Sequence, residues 1–239
     1  MINKIIKKAL VSVSDKSNLK ILADFLYRNQ IEVLSTGGTS KELKKLNPEI
    51  KITQISKYTG SKEILDGRVK TLHPKIHAGI LADRQNKQHM LELKKNTAMP
   101  IDLVVVNLYP FEETVASRGS EQEIIEKIDI GGIALIRAAA KNFTDVFCVS
   151  DKKDYVDFLN ILINSDCAPD LDDRKRYSVK AFQTSSHYDT AIFNYFNKEE
   201  EVLKLSIRES KKLRYGENPH QKGYFFGHLS DLIDQIHGK

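Results

Sequence analysis

The segment Ile101-Asp-Leu-Val-Val-Val-Asn-Leu-Tyr109 constrains the fold of this chain more than any other. Its centre, Leu103 to Val106, has no polar alternation, so a strand built from it must be covered on both faces. Such strands sit inside parallel sheets sandwiched between helices. The same stretch is the longest apolar run, Leu103 to Leu108 broken by Asn107, and falls far short of the ~20 residues that a membrane span needs.

The rest of the first half supplies the partners of such a strand. Lys8-Ala-Leu-Val-Ser-Val-Ser reads as a short buried strand, and Leu19, Leu22, Phe25 and Leu26 fall at helical spacing over Asn18 to Gln30. Ile31-Glu-Val-Leu-Ser-Thr returns to strand, Gly37-Gly38 breaks it, and Ser40-Lys-Glu-Leu-Lys-Lys-Leu opens a helix. Further strands fit Ile50 to Ile55 and Val146 to Ser150, a helix ends over Ala138 to Asn142, and a helical pattern runs from Asp172 to Phe196. The last carries Tyr177, Phe182, Tyr188 and Phe193, which suit packing across a connection or a subunit contact. Residues 56 to 85 and 107 to 132 resist any periodic reading and are expected to be active-site loops.

A βαβα order implies a parallel sheet, and ligands of open parallel sheets gather at the carboxyl ends of strands. Ser12-Val-Ser-Asp-Lys, Ser35-Thr-Gly-Gly-Thr and Asn107-Leu-Tyr-Pro fall at three such ends. With 41% hydrophobic and 29% charged residues, the 239-residue chain can bury one main domain with an appendage. Cys148 and Cys167 lie in no zinc-binding spacing, which predicts reduced thiols and no structural metal. The N-terminus lacks the apolar segment of a secretory signal, so a cytoplasmic location is expected. The net charge of +5 is spread along the chain and intermixed with acids, without an aromatic nucleic-acid motif, and predicts neither a nucleic-acid nor a membrane partner.

Ser35-Thr36-Gly37-Gly38-Thr39 joins a strand to a helix, where small residues admit an anion to backbone N–H groups and the helix dipole favours it. The bland alternative is a tight turn with Thr39 or Ser40 as N-cap. In Asp66-Gly-Arg-Val-Lys-Thr-Leu-His-Pro, Arg68 and Lys70 would point the same way if extended, a fork for phosphate oxygens beside a compact charge. A solvated basic loop is the alternative there, and His73 and His77 read as structural. Asn107, polar at the end of the most apolar strand, needs a partner in the protein or a ligand. Asp129 precedes Gly131 and Gly132 and a helical stretch, as an N-cap or a site carboxylate or both. Lys141 follows three alanines, where a lysine either acts or snorkels.

Taken together, Ser-Val-Ser-Asp-Lys at 12 to 16, Thr-Gly-Gly-Thr at 36 to 39, Asp-Gly-Arg-Val-Lys-Thr-Leu-His-Pro-Lys-Ile-His-Ala-Gly-Ile-Leu at 66 to 81, Asn-Leu-Tyr-Pro-Phe at 107 to 111 and Asp-Ile-Gly-Gly at 129 to 132 carry a family resemblance. The first 200 or so residues resemble the N-terminal inosine monophosphate (IMP) cyclohydrolase domain of the bifunctional purine-biosynthesis enzymes. Leu213-Arg-Tyr-Gly-Glu-Asn-Pro-His-Gln resembles the opening of the aminoimidazole carboxamide ribonucleotide (AICAR) transformylase domain of those enzymes. The resemblance implies an α/β, methylglyoxal-synthase-like three-layer fold with a mostly parallel central sheet and a helical extension. It divides the chain into a core over 1–150, an extension or linker over 151–200 and an incomplete transformylase start over 201–239.

It further implies a homodimer that closes formyl-AICAR (FAICAR) to IMP with loss of water. No cofactor is implied for that step, and 10-formyltetrahydrofolate only for the transformylase reaction. Carried over by position, the nucleotide contacts are Ser14, Asp15, Lys16, Thr36, Gly37, Gly38, Thr39, Arg68, Val69, Lys70, Thr71, Val106, Asn107, Asp129 and Ile130. Lys70, Tyr109, Asp129 and Lys141 are the catalytic candidates; Thr36 stands where many relatives have serine and keeps the hydroxyl. The competing expectations are a methylglyoxal-synthase-like lyase and a nucleotide-binding regulatory module without catalysis.

Overall fold

The computed structural model describes residues 4–199, 201–218 and 220–227. The N-terminal Met1-Ile-Asn and the stretch 228–239 of the expected transformylase start lie outside the described residues, as do Glu200 and Pro219. The chain forms two compact units, one up to Ser185 and one from Ser186.

The first unit runs β1 (Lys8–Val13), α1 (Leu19–Arg28), β2 (Glu32–Ser35), α2 (Gly37–Leu46), β3 (Ile52–Gln54), α3 (Ile55–Thr59), α4 (Pro74–Leu81), α5 (Lys87–Lys95) and β4 (Leu103–Asn107). It continues with α6 (Phe111–Ala116), α7 (Glu121–Ile125), α8 (Ile130–Lys141), β5 (Phe147–Val149), a 3-10 turn at Lys152–Asp154, α9 (Tyr155–Asn164) and α10 (Leu171–Phe196), the last counted here up to Ser185. The five strands form one parallel sheet in the order β3-β2-β1-β4-β5. Strand order reverses between β1 and β4, and a crevice at the carboxyl ends of two such strands is where open α/β sheets bind ligands.

Alternation along the strands explains the two helical layers. Ala9, Val11 and Val13 of β1 join Val33, Leu103, Val105, Phe147 and Val149 in one core, with Leu19, Leu22 and Leu26 of α1, Phe158 of α9 and Tyr177 of α10. Leu10, Leu34, Val104, Val106 and Cys148 face the other way, onto Ile76 and Ile80 of α4 and Leu135, Ile136 and Ala139 of α8. Leu103 to Val106 are thus buried from both sides, as their unbroken apolarity requires. Each such side chain contributes about 1.5–3 kcal/mol by leaving water. Tyr177, expected in a packing role, has its ring centroid 4.5 Å from that of Phe147.

The two stretches read as loops hold helices. The first contains α3 beyond Ile55 and α4, and the second contains α6, α7 and the start of α8. Of these, α3, α6 and α7 are too short to show two full turns of periodicity, and side-chain caps mark the starts of α4, α7 and α8. His73 caps α4, its Nδ1 accepting from the Lys75 N–H at 3.2 Å, with Pro74 opening the helix. Ser120 and Glu123 close a reciprocal capping box on α7. Gly79 lets α4 approach the lead-in to β4, where a Cβ would collide with the Met99 carbonyl oxygen.

In the second unit, β6 (Ser210–Lys212) and β7 (Tyr224–Phe226) pair antiparallel, and His187 Nδ1 lies 2.9 Å from Ser206 Oγ. Among the described residues no helix is long and apolar enough to cross a membrane.

Candidate active site

A cavity of about 780 Å³ opens over the carboxyl ends of β1, β2 and β4. Its floor is set by hydrogen bonds onto the end of β1. Asn107 Oδ1 accepts from the Ser14 N–H at 2.6 Å and the Asp15 N–H at 3.1 Å, and its Nδ2 donates to the Asp15 carbonyl at 2.8 Å. The polar residue ending the most apolar strand therefore has its partners in the protein. Thr39 is buried, and its hydroxyl accepts from the Val13 N–H and donates to the Val13 carbonyl, each at 3.1 Å. Both side chains act as braces, and what Thr39 can offer a ligand is its backbone.

Thr36 is the extended N-cap residue of α2, with Gly37 and Gly38 as the first two helical residues, so the break expected at the glycines is the helix start itself. The Thr36 hydroxyl contacts Ser12 Oγ and Thr39 Oγ1, both at 3.3 Å. Among the described residues nothing lies within 4 Å of where a Gly38 side chain would be, and Gly38 lines the cavity, so the first turn of α2 is open to it. First-turn N–H groups have no acceptor within their own helix, and with the dipole they favour an anion.

The basic segment is a tight reversal. Ile64 and Val69 form an antiparallel bridge, and Leu65, Asp66 and Gly67 between them all have φ from +53° to +86°. A side chain on Gly67 would meet Lys70 Cε at 2.6 Å, so the bare glycine makes room for the lysine. Arg68 pairs with Glu126, Lys70 Nζ lies 3.9 Å from Glu63, and Thr71 is buried beneath them. Arg68 and Lys70 both line the cavity, whereas the Val69 backbone is engaged with Ile64.

Asp129 is the N-cap of α8, with Oδ1 accepting from the Gly132 N–H at 2.6 Å. A Cβ on Gly132 would stand 2.6 Å from Asp129 Oδ2, and one on Gly131 would stand 2.8 Å from Thr71 Oγ1. The two glycines thus serve two different close approaches. Burial raises the pKa of Asp129 above the ordinary carboxylate range, against the opposing influence of the Gly132 hydrogen bond, the Lys70 charge and the Tyr109 N–H. Tyr109 lines the same cavity, with Lys127 Nζ 5.9 Å from its ring centroid.

Of the residues singled out from sequence, Ser14, Lys16, Thr36, Gly38, Thr39, Arg68, Lys70, Thr71, Val106, Asn107, Tyr109, Asp129 and Ile130 line one cavity. Asp15, Gly37, Val69 and Lys141 are not in its lining. The Asp15 carboxylate turns to Lys152 and to Ser17, and the Lys152 hydrogen bond foremost pulls its pKa far down. Gly37 opens α2, where a Cβ would stand 3.7 Å from Glu63 Oε1. Lys141 is exposed at the last residue of α8, about 18 Å along the helix axis from the Asp129 cap. Glu63, Asp66, Glu126 and Lys127 also line the cavity without having been singled out. No periodic or motif signal marks the two glutamates; only the reversal at 64–69 brings Glu63 to Lys70.

Residues 18–134 match the MGS-like domain model, and residues 139–239 match the AICARFT/IMPCHase bienzyme model. The chain is 50% identical over 238 residues to the bifunctional purine biosynthesis protein PurH of Bacteroides thetaiotaomicron, covering 99% of this chain and 46% of that protein. It is 48% identical over 223 residues to the protein of the same name from Clostridium kluyveri, covering 92% and 44%. The chain therefore spans about half the length of the curated relatives it matches. The crystal structure of ForH superposes with a TM-score of 0.66 at 34% identity, covering 80% of this chain and 98% of that one.

Proposed function

The chain belongs to the AICARFT/IMPCHase bienzyme family, and from that premise we propose that its first unit is an IMP cyclohydrolase closing FAICAR to IMP with loss of water. The observation that supports this most is one cavity holding a half-buried carboxylate at Asp129, the ammonium of Lys70, the phenol of Tyr109 and the open first turn of α2.

In this reading the ribonucleotide phosphate lies over the amides of Gly37 to Thr39, with Lys16 and the Ser14 loop beside it. The nucleotide is thereby held with its carboxamide nitrogen against its formyl carbon, and orientation of that kind removes a large part of an intramolecular barrier. As the N–C bond forms, the carbonyl electron pair moves to the formyl oxygen. Lys70 and the amides of Ile130 and Gly131 at the start of α8 stabilise that oxyanion. Asp129, whose raised pKa suits proton exchange, takes the proton from the attacking nitrogen. Protonated Asp129 returns that proton to the alkoxide, Tyr109 gives a second as the C–O bond breaks, and the Tyr109 phenolate takes up the proton of the formamide nitrogen, so that the ring C=N bond forms, one water leaves and both side chains regain their starting state.

Lys141 receives no step in this scheme, and its catalytic assignment rests on the resemblance alone. No cofactor takes part in ring closure; 10-formyltetrahydrofolate belongs to the transformylase reaction. A homodimer in the cytoplasm completes the reading. The direct test is single-turnover absorbance of FAICAR on the purified chain. Conversion to IMP that is lost in Asp129→Asn and Lys70→Met is the expected result, and binding of IMP without any turnover in the unaltered chain would overturn it.

A further inference from the structure

The cavity carries its own anion at the place where the proposed function needs a phosphate. Glu63 and Lys70 flank the Ile64–Val69 bridge one step out on either side, which makes them directly opposed cross-strand neighbours. One carboxylate oxygen of Glu63 lies 3.9 Å from Lys70 Nζ, and the other lies 3.7 Å from the position of a Cβ on Gly37, at the first turn of α2. The same carboxylate is 3.6 Å from the corresponding position on Gly67. It therefore stands between the helix start and the lysine, on the wall of the cavity, with its side chain 41% exposed and free to turn outward.

We propose that Glu63 is an internal occupant of the phosphate site, standing beside Gly37 and Lys70 and displaced when a phosphate-bearing ligand binds. The proposal rests on the reading of this cavity as a nucleotide site. A phosphate dianion over the α2 amides and a carboxylate at the same helix start repel each other, because the two charges are a few ångströms apart in a partly shielded cleft. Binding therefore requires that Glu63 swing away from the helix start, which also releases Lys70 for the formyl oxygen of the same ligand. The carboxylate lowers phosphate affinity, and in exchange keeps Lys70 aligned and holds off inorganic anions that lack the rest of the nucleotide. An exposed pair of this type has a modest strength and is screened by salt, so its effect is one of tuning.

The chain and its Glu63→Gln variant are titrated calorimetrically with inorganic phosphate, with IMP and with inosine, at low and at high ionic strength, after thermal melts confirm that both are folded. The expected result is that Glu63→Gln binds phosphate and IMP about threefold to tenfold more tightly at low salt. That gain shrinks at high salt, and inosine binds both proteins alike. Equal or weaker binding of phosphate and IMP by the variant overturns the proposal, as does a gain shared equally by inosine or the absence of phosphate and IMP binding in both proteins. Tighter phosphate binding by the variant in a chain that never cyclises FAICAR sustains the proposal while removing the functional reading. Turnover of FAICAR with no gain in the variant does the reverse.

Discussion

Asn107 Oδ1 lies 2.6 Å from the Ser14 backbone nitrogen, so a side chain at the end of β4 fixes the loop that follows β1. Three hydrogen bonds from one amide hold the two strand ends that frame the cavity. Asn107→Ala leaves two N–H groups and one carbonyl to find water in a half-buried crevice. Unfolding in urea should show a loss of about 1–2 kcal/mol, and calorimetry should show IMP affinity falling more than tenfold as the Ser14 loop loosens.

Gly132 and Gly131 are required for different reasons, and alanine at each tests them separately. By intrinsic propensity both changes favour a helix by up to about 1 kcal/mol. Contact overrides that preference, since Gly132→Ala drives a methyl into the Asp129 carboxylate and Gly131→Ala drives one into the Thr71 hydroxyl. We expect kcat for cyclisation to drop at least tenfold in Gly132→Ala with the circular dichroism spectrum unchanged. Gly131→Ala should act mainly on KM, through Thr71.

Asp129 makes activity and stability pull in opposite directions. Its folded pKa is raised by burial, so the folded protein holds this proton more tightly than the unfolded chain does. The stability it contributes is fully present below the unfolded carboxyl pKa of about 3.9, and is lost as pH rises through the folded value. Asp129→Asn keeps an N-cap acceptor and removes that loss. Urea unfolding should find the variant at least as stable as the parent at about pH 7, with the difference vanishing near pH 4. Cyclisation should be abolished across the range, and a variant less stable than the parent at neutral pH would contradict the assignment.

Tyr155 offers a test of packing away from the cavity. It is 1% exposed, its ring meets Phe158 edge-on at 5.9 Å, and among the described residues its hydroxyl has no hydrogen-bond partner. Removing an unpartnered buried hydroxyl deletes a desolvation cost and leaves the ring contacts intact. Tyr155→Phe should therefore leave the melting temperature unchanged or raise it by a few degrees, whereas Tyr155→Ala should cost about 3–5 kcal/mol.

The sheet was legible because its strands alternate toward two cores or, in β4, show unbroken apolarity that only a sandwiched strand tolerates. The site was legible as a set of strand ends and short motifs. Helix α9 carried a readable signal that went unused, since Tyr155, Phe158, Leu159 and Leu162 recur at helical spacing and are buried. The short helices α3, α4, α6 and α7 offered no such run. Which motif side chains face a ligand was not readable at all. Thr39 and Asn107 differ in no local way from residues that bind, and only the strand pairing of Val13 with Asn107 shows that their polar atoms serve the protein. Glu63 was invisible for the converse reason, because its role comes from three consecutive left-handed residues that fold it back onto Lys70.

The position of β1 between β2 and β4 sets a schedule for the chain as it is made. β1 acquires β2 within some twenty residues, yet its other edge stays unpaired until β4 emerges, since Val13 pairs with Asn107. At a synthesis rate of about 5–20 residues per second, that interval lasts on the order of five to twenty seconds. Throughout it the nascent chain presents an open strand edge, and no binding crevice exists. The stretch from α3 to α5 is therefore the time during which a ribosome-bound chaperone has most to protect.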